Sequence, residues 1–375
     1  MHSKWKYTLY AVCLAAFIGL IAVADEQVQA QDLGPSAVES VAYSPDGSKI
    51  AVAGGTPICS RAAEDAANYA IRILDANTGE LINTVGASTC SVNSVSWSPD
   101  GTRIASSSWE GTGFVWDATT GAQVSMYEDS GYGAFSLRNV EWNPVDNRIV
   151  IQADSGTYTV IWDAVTGDII GPDVSDIATF AVGTVTWSPD GNHLAITTLD
   201  NKIEIFDVNP VNATLEHWPL LLRFDSGPVY ELDWSPDGSR IAGAVGGEVH
   251  IFDVTNGQLV QTLTGGTNTL LVVDWSPDGS RIAAGGMDNM ARVWDVETSN
   301  QVAVFDHLAP VYALDWNPNS QDIAFGGPIN PTGDSVNIAE VPSPTPTPSA
   351  TPTPAAFQRL RVTAICSDDP ATSRR

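Results

Sequence analysis

The sequence predicts an all-β chain, a seven-bladed β-propeller of four-stranded antiparallel blades closed by an N-terminal strand. Three observations predict it. First, an aromatic residue followed by Ser-Pro or Asn-Pro recurs at Tyr43, Trp97, Trp142, Trp187, Trp234, Trp275 and Trp316, at intervals of 54, 45, 45, 47, 41 and 41 residues. Second, an aromatic-Asp pair follows five of these aromatics after 18 to 20 residues, at Trp116-Asp117, Trp162-Asp163, Phe206-Asp207, Phe252-Asp253 and Trp294-Asp295. Third, the segments between these marks are short β-branched and aromatic runs of strand length. Two signals in fixed phase with a period of this size mark a circular or stacked repeat, counted as one structural object.

At the N-terminus, Lys4 and Lys6 precede an uncharged stretch from Tyr7 to Ala24 that ends in Ala22-Val23-Ala24. This is the pattern of an export signal over residues 1–24. Val28-Gln29-Ala30 offers a second, weaker cleavage site. The stretch also approaches the length of a membrane span, so the alternative is an uncleaved anchor. The protein is expected outside the cytoplasm, secreted or at the cell surface. Cys13 lies inside the leader, leaving Cys59, Cys90 and Cys366. Their spacing fits no zinc motif. Repeat phasing puts Cys59 and Cys90 in loops at the same end of neighbouring units, so a disulfide between them is expected in an oxidising compartment.

The propeller is expected over residues 25–341, and its sixth unit serves as the template. Leu270–Trp275 is a strand, and Ser-Pro-Asp-Gly closes it, with Pro277 presetting φ and Gly279 accommodating a positive φ. Arg281–Gly286, Ala291–Asp295 and Gln301–Phe305 supply three further strands. One four-stranded sheet cannot bury both faces alone, so neighbours must stack around an axis. Nine tryptophans at the two repeating positions (97, 116, 142, 162, 187, 234, 275, 294 and 316) are assigned to the gaps between blades. The seventh blade has its third strand near Val336–Ile338 and then runs into proline, so its outer strand is expected from Val28 to Asp32, which avoids two unpaired edges. Blade one carries an insert, Thr56 to Asn68. Blade four carries Val208 to Phe224, whose leucines read as its outer strand.

Pro342–Pro354 alternates proline with Ser and Thr, and residues 342–356 read as an extended linker. Residues 357–375 read as the start of a further module that the chain does not complete, or as a disordered tail.

These paired motifs resemble the WD-repeat β-propeller family over most of the chain. The resemblance implies a rigid ring that binds through its loops. It also implies a His-Ser/Thr-Asp-Trp hydrogen-bond tetrad in each blade, and here the sequence departs. No Gly-His dipeptide precedes a first strand, and only His307 stands near the expected place. Asp200 and Asp288 match the tetrad aspartate, with Glu110 as a further substitute, so stability is expected mainly from tryptophan packing and turns. Ser-Pro-Asp-Gly is also similar to a turn of six-bladed propellers, but seven units and Trp-Asp endings argue against that group.

The chain carries 17 Lys plus Arg against 44 Asp plus Glu, a formal net charge of −27. Such a surface repels phosphate backbones and anionic headgroups, which disfavours nucleic acid and membrane surfaces. No phosphate loop, nucleophile elbow, His-Glu-x-x-His or calcium loop occurs in the sequence, so no catalytic residue, cofactor site or metal site is assigned. Asp233, Asp274 and Asp315, each preceding a motif tryptophan, are expected to line the central channel, where a cation is one conceivable occupant. His193 and His250 fall in strands.

The expected function is a non-catalytic, monomeric interaction scaffold with a protein or surface-polymer partner at the loop face. Candidate partner-binding residues there are Trp109, Tyr132, Phe135, Phe180, Tyr230, His307 and Tyr312, because aromatics on loops are the usual interface anchors. The alternative is an enzyme or surface receptor, with its activity at the channel mouth or in a C-terminal module.

Overall fold

The computed structural model describes residues 27–29, 37–55, 70–86, 90–128, 136–153, 159–171, 184–198, 200–209, 218–328 and 336–342. The chain divides into Met1–Pro342 and Ser343–Arg375, and the linker and tail of the second unit lie outside the described residues. All regular elements described are strands, and they form seven antiparallel sheets.

Blade one runs Val38–Tyr43, Lys49–Gly54, Ile71–Asp75 and Leu81–Val85, each strand paired to the one before it. Blades two, four, five and six repeat this order. Among the described residues blade three shows the strands Leu137–Trp142, Arg148–Ala153 and Thr159–Asp163, with an isolated bridge from Trp162 to Ile169 on the far side of the third. The seventh blade is completed from the other chain end, as the edge argument requires. Its third strand, Val336–Glu340, pairs antiparallel with Gln27–Gln29, and Val28 lies opposite Ile338. Among the described residues the closing strand starts one residue earlier than expected, at Gln27, and the remainder of the expected segment, residues 30–32, lies outside the described residues.

Each first strand packs on the first strand of the preceding blade, and at six of the seven junctions, the seam between blades seven and one included, on its second strand as well. All nine motif tryptophans are buried, none more than 7% exposed. Trp162 and Trp294 are completely enclosed. Apolar clusters span blade junctions: Val52 and Leu74 of blade one meet Ala324 and Ile338 of blade seven, and Ile71 and Ile73 of blade one meet Trp97 and Ile104 of blade two.

The Ser-Pro-Asp-Gly turns show why that tetrapeptide recurs. In blade one, Ser44 Oγ donates to Asp46 Oδ1 at 2.6 Å, the Ser48 amide donates to the same oxygen at 3.0 Å, and the Lys49 amide donates back to Ser44 Oγ at 3.0 Å. Gly47 turns the chain at φ 69°. The pattern returns at Ser98/Asp100, Ser188/Asp190, Ser235/Asp237 and Ser276/Asp278. Each of these turns satisfies its own polar groups locally, so it forms the same way in all five blades that carry the tetrapeptide.

Two tetrad aspartates find other partners. Asp288 forms an ion pair with Arg292 at 2.8 Å and accepts from the Thr267 amide at 2.9 Å, while Asp200 accepts from Arg223 at 2.8 Å. An arginine on the third or outer strand thus does part of the work that the family pattern gives to histidine. This adds charged pairing to the tryptophan packing and turns expected from the sequence.

Candidate functional site at the channel mouth

The innermost strands enclose a central channel of ≈ 980 Å³. Because side chains alternate along a strand, fixed offsets from the motif aromatic point into it. The residue one position before the aromatic turns to the next blade and accepts the backbone N–H of that blade's own aromatic. Ser96 accepts from Trp142 at 3.0 Å, Glu141 from Trp187 at 3.2 Å, Asp233 from Trp275 at 2.7 Å and Asp274 from Trp316 at 2.9 Å. Across the seam Asp315 accepts from the Tyr43 amide, so the belt continues through ring closure. Three positions before the aromatic, a second tier forms: Ser40 accepts from the Val95 amide at 3.2 Å, Asn139 donates to the Val185 carbonyl at 3.1 Å, and Glu231 accepts from the Val273 amide at 2.8 Å.

These carboxylates are enclosed by neighbouring blades while one edge meets the channel. Burial pushes Glu141 and Glu231 up to about 8, against the pull of the backbone N–H groups they accept from. Burial and mutual repulsion raise Asp233, Asp274 and Asp315 as well, and Asp274 shares side-chain hydrogen bonds with both of the other two. Neighbouring carboxyl groups at such a contact hold a proton between them. The three aspartates line the channel, as the sequence implied, but among the described residues no group of three or more ligating side chains is arranged to hold a metal ion. Their oxygens serve the backbone of the adjacent blade.

Four positions before the aromatic the side chains reach the mouth, where Glu39, Asn93, Arg138, Tyr230, Leu271 and Tyr312 line the opening. Trp109 joins them from the turn between the second and third strands of blade two. Trp109 is 43% exposed and Tyr230 50%. Three sequence-selected aromatics therefore converge on one rim. Tyr132, Phe135 and Phe180 lie outside the described residues, as do Cys59 and His217. Cys90 is buried and disulfide-bonded.

His307 is a correction. It is completely buried and meets the Phe325 ring edge-on at 5.9 Å. Gly327 lies beside it and allows the close approach of Pro310, because a Cβ there would lie 2.0 Å from the Pro310 carbonyl oxygen. An apolar neighbourhood claimed the ring, so His307 belongs to the core and not to the interaction face. Arg138, Glu39 and Leu271 were missed from the sequence. The signal was present, since each stands at the same offset from its aromatic as Tyr230 and Tyr312.

Residues 79–117, 174–207, 219–253 and 257–295 match the WD domain, G-beta repeat family. The chain is 30% identical over 125 residues to "Transcription factor unc-37" of Caenorhabditis elegans, covering 33% of this chain and 20% of that protein. It is 28% identical over 125 residues to a "Poly(A)+ RNA export protein" of Schizosaccharomyces pombe, covering 32% of this chain and 35% of that protein. It is 32% identical over 93 residues to "WD repeat-containing protein 1" of Xenopus tropicalis, covering 24% and 13%. The chain thus spans about a third or less of the length of these relatives. With seven circularly stacked blades, the recurring aromatic-Asp endings and these repeat matches together, the chain belongs to the WD-repeat β-propeller family.

Proposed function

We propose that the chain is an exported, non-catalytic binding scaffold that receives a protein partner over the channel mouth. The observation that carries this reading is the convergence of Trp109, Tyr230 and Tyr312 around one opening, next to Arg138 and Glu39. Large aromatic side chains held on rigid strand ends lose little entropy on binding, and a few such anchors commonly dominate an interface. The channel carboxylates accept backbone N–H groups of the adjacent blade, which supports a structural role for them. The leader pattern over residues 1–24 supports export, with Asp25 as the expected first residue of the mature chain.

The test is affinity purification of the full chain from its own host, compared with a Trp109→Ala/Tyr230→Ala/Tyr312→Ala variant. A protein that co-purifies with the parent and is lost from the triple variant supports the scaffold. An unchanged partner set, capture of a polysaccharide in place of a protein, or turnover by the purified ring would overturn it. N-terminal sequencing of the mature protein separates a cleaved signal from an anchor.

A further inference from the structure

The first residue of the second strand has a recurring task at two blade junctions. In blade three Arg148 reaches under blade four, where its guanidinium lies 5.1 Å from the centre of the Trp187 ring. Its Nη1 donates to the Val208 carbonyl and its Nη2 to the Gly191 carbonyl, both at 2.6 Å. In blade six Arg281 repeats the arrangement, 5.0 Å from the Trp316 ring, donating to the carbonyls of Ser320 and Pro342. The turn acceptors, Gly191 and Ser320, occupy the same place in the Pro-containing turn, and the second acceptor is the first residue past the third strand in one case, Val208, and the second in the other, Pro342.

In blade four the same register position is His193, opposite Asp207 as Arg148 is opposite Asp163 and Arg281 opposite Asp295. Imidazole is too short to cross the junction. Its Nδ1 instead lies 3.5 Å from Asp190 in its own turn. A cleft of ≈ 590 Å³ remains between blades four and five, and its lining includes blade-five counterparts of the residues that hold a guanidinium in blade four. Trp234 stands where Trp187 and Trp316 stand. Gly238 and Val254 correspond to Gly191 and Val208. Asp190 and Asp237 add negative charge at the entrance, and Leu222 and Ile205 offer an apolar wall for a methylene stem.

We infer that this cleft is a receptor for an arginine side chain of a partner protein. The chain itself defines the ligand chemistry, since two filled copies of the site show a guanidinium stacked on an indole and donating to two backbone carbonyls. A planar fork of donors matches such paired acceptors, and an ammonium does not. The acidic surface favours a basic partner segment at this point. This site is separate from the channel mouth and stands or falls independently of it.

The experiment is thermal unfolding of the full chain titrated with N-acetyl-L-arginine amide, with N-acetyl-L-citrulline amide as the neutral isostere. Binding to the folded state raises the midpoint by mass action. The arginine probe is expected to raise it in a saturable way and the citrulline probe to leave it unmoved. His193→Arg should fill the cleft from within, raise the midpoint without ligand and abolish the response to the arginine probe. Asp190→Asn/Asp237→Asn, which leaves the cleft open, should lose the preference for arginine over citrulline and guards against a His193→Arg chain that does not fold. No response of the parent chain, equal responses to both probes, or an undiminished response in folded His193→Arg would overturn the inference.

Discussion

Around the channel, Glu141, Glu231, Asp233, Asp274 and Asp315 are enclosed between blades and pushed upward by burial. A few residues further along the first strands, Asp46, Asp100, Asp190, Asp237 and Asp278 occupy open turns. There, hydrogen bonds from serine, threonine and backbone donors pull them down, Asp46 and Asp237 to about 2. Both sets contribute to the same large formal negative charge. Their response to protons is opposite, because one set exchanged water for enclosure and the other for local donors while keeping its solvent. A formal charge of −27 for the whole chain therefore overstates what it carries at neutral pH, since part of the channel set holds its protons.

The comparison has a common support, the indoles between the two sets, and removing one gives the largest expected effect. Trp316→Ala should cost about 3–5 kcal/mol in chemical denaturation, as for other large core aromatics. A loss below about 1 kcal/mol would mean that the indole does not hold the seventh junction. Next, Asp274→Ala removes the acceptor of the Trp316 amide and should cost about 1–3 kcal/mol, the penalty of a buried donor left unmet. Asp274→Asn keeps an acceptor and should recover part of that loss.

The pH response separates the two sets directly. Folded pKa values of Glu141 and Glu231 lie near 8 against an ordinary 4.5, so their contribution is fully present below 4.5 and is lost as pH rises toward 8. Asp46 and Asp237 are shifted the other way, from 3.8 to about 2, so their contribution is present above 3.8 and is lost as pH falls toward 2. The unfolding midpoint should therefore peak near about pH 4–5 and decline on both sides. Glu141→Gln/Glu231→Gln should make the alkaline limb shallower, leaving the part set by Asp233, Asp274 and Asp315, without changing the acid limb. A midpoint that rises from pH 5 to 8 would break the comparison. The smallest effect belongs to a single turn: Asp46→Ala should cost about 0.5–1.5 kcal/mol and weaken acid resistance without touching the alkaline limb.

Legibility follows the range of the interactions. The Ser-Pro-Asp-Gly turns, the strand succession and the tryptophan positions were readable because their physics is local or periodic. Trp109, Tyr230 and Tyr312 were readable as mouth residues because loop and strand-start positions repeat with the blades. His307 was misread because it is covered by Phe325, a residue of a later strand that no local pattern connects to it. The cleft beside His193 was invisible for a related reason. A short side chain at the start of a strand becomes an open site only when the next blade presents Trp234, Gly238 and Val254 to the space it leaves.

By itself the sequence determined the number of blades, the residues between them and the need for an N-terminal strand to close the ring, since period, turn chemistry and hydrophobic alternation are written along the chain. Tertiary structure alone decided which way each polar group turned: toward the next blade's backbone, into the channel, or across a junction to another blade's carbonyls. Those choices depend on free energies of enclosure and pairing that exist only once separate blades are brought face to face.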